Sequence, residues 1–77
     1  MPDEAGLPAV PGGRLVGALQ AAGFELTRVS GSHHRLKHPD GRATTVPVHG
    51  NKDVPKGTLR AILRDCGLTA AQLRDLL

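Results

Sequence analysis

The sequence predicts an α+β domain: a helix, a three-stranded antiparallel sheet, a second helix and a short third one. Three observations carry that expectation. Apolar residues recur at helical spacing near both ends of the chain and at a period near two between residues 24 and 48. Glycines and an Asp-Gly pair stand where turns and helix ends need them. The chain has 77 residues, 39% hydrophobic and 22% charged, which is enough for one small core and no more.

The elements follow in order. Residues 1–12, interrupted by Pro2, Pro8 and Pro11, read as a flexible leader to a single domain over 13–77. Leu15, Val16, Leu19 and Ala22 share one face of a helix over Arg14–Ala22, and Gly23 can end it in a left-handed conformation. Gly17 weakens that helix by about 1 kcal/mol relative to alanine. Phe24–Val29 mixes apolar and polar residues as a strand does. Ser30-Gly31-Ser32 is turn chemistry, and His33–His38 is a second strand. Pro39-Asp40-Gly41-Arg42 carries the hairpin signal Asp-Gly. Arg42–Val48 is the third strand, where Pro47 lacks a ladder donor and so marks an edge or an end. After a loop over 49–54, Leu59, Ile62, Leu63 and Cys66 form an apolar stripe closed by Gly67. Thr69 caps a last helix over Ala70–Leu77.

Composition removes several functions. Phe24 is the only aromatic residue, so a base-stacking platform of exposed rings is excluded. No apolar run is long enough to cross a membrane. The acidic, proline-broken start is unlike a signal peptide, which points to the cytoplasm. A single cysteine excludes an internal disulfide and a multi-cysteine zinc site.

Charge supplies the pointer to function. The formal net charge is +3, but it is unevenly spread. Arg28, Arg35, Lys37, Arg42, Lys52, Lys56 and Arg60 all lie between residues 28 and 60, against Asp40 and Asp53, and all four histidines lie there too. Such a patch suits a polyanion such as nucleic acid; the alternative is an ordinary solvated surface.

The chemistry-bearing residues narrow this further. Ser32 beside His33 does not make a hydrolase pair, because neighbouring strand residues point to opposite faces and no orienting acid is evident. Cys66 belongs to the apolar stripe, as a buried inert thiol. His34 and His38 are four apart on a strand, about 13 Å at roughly 3.3 Å per residue, too far to share a metal, and no cofactor is expected. Leu36 is the one aliphatic residue of its strand and must face the helices. His33, Arg35 and Lys37 then stand as a row toward solvent. Cations hold phosphates, and an imidazole that titrates near neutrality can accept and donate protons. Those are the parts for cleaving RNA through its own 2′-hydroxyl, without metal or activated water. A non-catalytic grip on the phosphate backbone, or a structural histidine, remains the alternative.

Gly31-Ser32-His33-His34, Lys37-His38-Pro39-Asp40-Gly41-Arg42, Thr45-Val46-Pro47-Val48-His49 and Lys56-Gly57-Thr58-Leu59-Arg60-Ala61-Ile62-Leu63 occur in that order. The series resembles the HicA (YcfA-like) toxin family over about residues 13–76. The resemblance implies a double-stranded-RNA-binding-like fold with helices on one face of the sheet. It also implies a ribonuclease that cleaves mRNA and is neutralised, in a hetero-oligomeric complex, by a HicB antitoxin; the free toxin is expected to be monomeric. The catalytic histidine of the Gly-Ser-His segment maps to His33 or His34, with alternation favouring His33. Ser32, Arg35, Lys37, Arg42, Lys52 and Lys56 are the candidate RNA-binding residues. The leader and Leu36, a position often aromatic in the family, depart from the family pattern.

Overall fold

The structure, a computed structural model, describes residues 6–77. Its elements run α1 (Gly12–Ala21), β1 (Glu25–Ser30), β2 (His33–Lys37), β3 (Ala43–Pro47), α2 (Lys56–Cys66) and α3 (Ala70–Leu76). The strands form one antiparallel sheet in the order β1-β2-β3, so the α+β class and the order of elements are as expected. The local signals explain the boundaries. Gly23 (φ 99°) and Gly67 (φ 67°) take the left-handed conformations that follow α1 and α2. Thr69 and Gln72 close a reciprocal capping box at the start of α3. Pro47 is the last residue of an edge strand.

The core lies between the helices and one face of the sheet. Leu15, Leu19, Leu36, Val46, Leu59 and Leu73 are fully buried there. Thr44 is the buried polar exception, and its Oγ1 donates to Asp65 Oδ2 on α2 at 3.0 Å, which satisfies the hydroxyl. The helices cover β2 and β3 but leave β1 overhanging: all six of its residues are exposed, Leu26 and Val29 among them.

Three details differ from the sequence expectation. Residues 1–5 of the expected leader lie outside the described residues, but 6–12 are packed. Leu7 and Val10 are buried, Val54 N–H donates to Val10 O at 2.9 Å, and Lys56 Nζ donates to Leu7 O at 3.1 Å. The reason is Gly12, which begins α1 two residues earlier than expected. A Cβ there would stand 2.2 Å from Pro47 O, so only glycine lets the helix start abut the end of β3 and pull the preceding segment into the core. Phe24 precedes β1 rather than opening it, buried beneath His38 and Arg42. Finally, α2 starts at Lys56, three residues ahead of the apolar stripe that begins at Leu59, with Pro55 (φ −55°, ψ 143°) as the residue before its first turn.

Candidate nucleic-acid interface

Strand β2 sorts its side chains onto two faces. Leu36 is fully buried and His34 half-buried on the helix side, while His33, Arg35 and Lys37 are exposed on the other. The row anticipated from alternation is therefore formed, on a face that no helix covers. His33 lies opposite Ser30 on β1 and Pro47 on β3. Val48 N–H donates to Ser32 O at 2.7 Å, so the loop carrying His49 and Lys52 leaves the sheet at the His33 end.

Pairing across β1 and β2 adds a residue that alternation alone misses. The register shifts between Leu26 and Arg28, leaving Thr27 as the extra residue of a β-bulge. Strict alternation would put Leu26 and Arg28 on the same face. The bulge resets the phase, so Leu26 and Val29 oppose Leu36 and His34 on the helix side, while Arg28 opposes Arg35 on the open side. Two guanidiniums directly across a sheet repel by up to about 1 kcal/mol. Arg35 Nη1 donates to Thr45 Oγ1 at 3.2 Å, and no ion pair joins either arginine to a carboxylate among the described residues. An anion between them would relieve that repulsion.

The other candidate residues are distributed differently. His34 places Nδ1 3.3 Å from the Ser32 carbonyl, a contact that fixes the ring when Nδ1 carries the proton. Ser32 is half-buried at the turn, and Lys52 is exposed in its loop. Arg42 stands at the opposite end of the sheet, inside the 38–42 turn. Its Nε donates to Asp40 Oδ2 at 2.8 Å, Nη1 donates to the Cys66 carbonyl at the end of α2, and its guanidinium lies 5.2 Å from the Phe24 ring centre. Lys56 is engaged with Leu7 O. The structure thus brings His33, Arg35 and Lys37 together with Arg28, and commits Arg42 and Lys56 to intramolecular bonds.

Electrostatics separates the two ends. Hydrogen bonds from Arg42 hold the Asp40 carboxyl below its ordinary value, and His38 Nδ1 accepts the Asp40 N–H at 3.1 Å. Burial, reinforced by nearby Asp65, pushes the Cys66 thiol up to about 11, so Cys66 stays a neutral thiol at physiological pH. Among the described residues no three His, Cys, Asp or Glu side chains gather closely enough to hold a metal ion, and no helix is long and apolar enough to cross a membrane.

A family model for the HicA toxin of bacterial toxin–antitoxin systems matches residues 12–68. That span runs from the first residue of α1 to just past α2 and contains the whole open face. No curated protein matches the chain.

Proposed function

The chain belongs to the HicA toxin family of bacterial toxin–antitoxin systems, and we propose that it is an endoribonuclease that cleaves mRNA on the open face of its sheet. The observation that carries this is the alignment of His33, Arg35 and Lys37 on an uncovered face, with Arg28 across from Arg35. RNA provides its own nucleophile. His33 removes the proton of a ribose 2′-hydroxyl, and that oxygen attacks the adjacent phosphorus. Arg28 and Arg35 bind the phosphoryl oxygens and stabilise the charge that grows on them, while Lys37 holds the neighbouring phosphate. The bond to the 5′-oxygen then breaks, and that oxygen takes back a proton from the imidazolium. The products are a 2′,3′-cyclic phosphate end and a 5′-hydroxyl end, formed without an added metal or cofactor. Ser32 and Lys52 border the site at the His33 end, whereas Arg42 and Lys56 act by holding the turn and the start of α2.

Regulation follows from the same face. A HicB-type antitoxin with an acidic surface would cover His33, Arg35 and Lys37, excluding RNA by occupancy and complementary charge. A small domain of this size also gains stability from its partner by mass action. The protein would act in the cytoplasm, where mRNA is exposed.

Expression under tight control tests the proposal. Growth arrest is expected from the natural chain and from His34→Ala, with relief by His33→Ala. Arrest by all variants alike would remove the histidine mechanism. RNA binding without any cleavage would favour a non-catalytic RNA-binding module that uses the same face.

A further inference from the structure

A concavity of about 200 Å³ opens beside Lys37 at the far end of the row, lined by Glu25, Thr27, Lys37, His38 and Pro39. It lies four residues along β2 from His33, about 13 Å at roughly 3.3 Å per residue. A strand presents same-face side chains every second residue, a repeat comparable to the spacing of successive phosphates. A chain threaded along His33, Arg35 and Lys37 would therefore bring a neighbouring nucleotide's base to this hollow.

The lining has hydrogen-bonding capacity to spare. Glu25 and Lys37 are directly opposite in the β1–β2 register and both are exposed, yet no ion pair closes between them among the described residues. Thr27, displaced by the bulge, is anchored by its Oγ1 donating to Arg35 O at 3.2 Å, and the hydroxyl oxygen keeps acceptor capacity. The His38 ring is fixed edge-on against Phe24, with centres 5.1 Å apart, and Pro39 offers an apolar surface for a base to lie against.

We propose that this hollow is a nucleobase subsite that selects bases carrying an exocyclic amino group over uracil. The inference rests on the open face being an RNA site. An ionised carboxylate only accepts hydrogen bonds. Adenine, cytosine and guanine each offer an amino group to Glu25. Uracil offers a single imide N–H between two carbonyl oxygens, which a carboxylate repels. Selection by edge chemistry also suits a chain that has no exposed aromatic ring for stacking.

Binding of 2′-O-methyl RNA hexamers of adenine, cytosine and uracil, which cannot be cleaved through the 2′-oxygen, tests this without relying on catalysis. The natural chain is expected to bind the adenine and cytosine hexamers about five- to tenfold more tightly than the uracil hexamer, in line with one good base contact. Glu25→Ala should bring all three within about twofold. Glu25→Lys, which donates to carbonyls instead, should prefer uracil over adenine. Because position 25 is exposed, Glu25→Ala should melt as the natural chain does, while Glu25→Lys, placed opposite Lys37, should melt slightly lower. Equal binding of the three hexamers by the natural chain, or a preference that survives Glu25→Ala, would overturn the subsite while leaving the nuclease proposal intact. Failure to bind any hexamer at low salt would overturn both.

Discussion

The two ends of the β1–β2–β3 sheet treat their cations differently. At the 38–42 turn, Arg42 is shared among the Asp40 carboxylate, the Cys66 carbonyl and the face of Phe24, and its job is to lock a hairpin onto the end of α2. Farther along, Arg28 and Arg35 face each other across two strands, with one neutral hydroxyl contact for Arg35. The first arrangement stabilises the fold. The second sets like charges opposite one another with no carboxylate paired to either among the described residues, a repulsion that the proposed binding of an RNA phosphate would relieve. Position in a basic stretch of sequence does not separate these roles; the partners do.

The largest effect on the locked end should come from Gly23→Ala. Gly23 has φ 99°, and a Cβ would stand 2.9 Å from His38 Nε2, so a loss of about 2–3 kcal/mol in stability is expected in denaturant titration. A change below 0.5 kcal/mol would mean that the turn yields more easily than its contacts indicate. Arg42→Ala should follow, costing about 1–2 kcal/mol through its lost charged hydrogen bonds. It should leave the salt dependence of RNA binding where it was.

The reverse is expected on the open face. Arg28→Ala and Arg35→Ala should leave the melting temperature unchanged or slightly raised, since a like-charge pair is removed. Each should reduce the log–log salt slope of RNA binding by about 0.7, the contribution of one single-strand phosphate contact. If Arg42→Ala moved the slope while Arg28→Ala did not, the division between the ends would be wrong. The smallest effect is in acid. Hydrogen bonds from Arg42 depress the Asp40 carboxyl, so its contribution is present above its unfolded value and is lost as pH falls through the lower folded one. Asp40→Asn should flatten the stability profile below about pH 4 and leave neutral pH nearly untouched.

Much of this was legible because it is local. Gly23, Gly67, the Asp-Gly turn and the Thr69 cap each act within a few residues, and the period-two pattern of His33–Lys37 sets which side chains share a face. What escaped the sequence depends on partners far along the chain. The bulge at Thr27 exists only as a mismatch between two strands, so alternation within one strand could not show that Arg28 joins Arg35. Arg42 looked like another free cation because the carbonyl it binds belongs to Cys66, 24 residues away. The packed segment before α1 depends on Gly12 meeting Pro47, an approach no local pattern encodes. Its Leu7 and Val10 were the only hints.

The central claim, that one exposed imidazole at the head of a cationic row cleaves RNA, is tested most directly by purified protein and a defined RNA in the presence of chelator. The natural chain should yield fragments ending in 2′,3′-cyclic phosphate. His33→Ala, unchanged in its melt, should lose at least about a hundredfold of that rate, and His34→Ala should keep most of it. Cleavage that persists in His33→Ala, or that is abolished only by His34→Ala, would contradict the account.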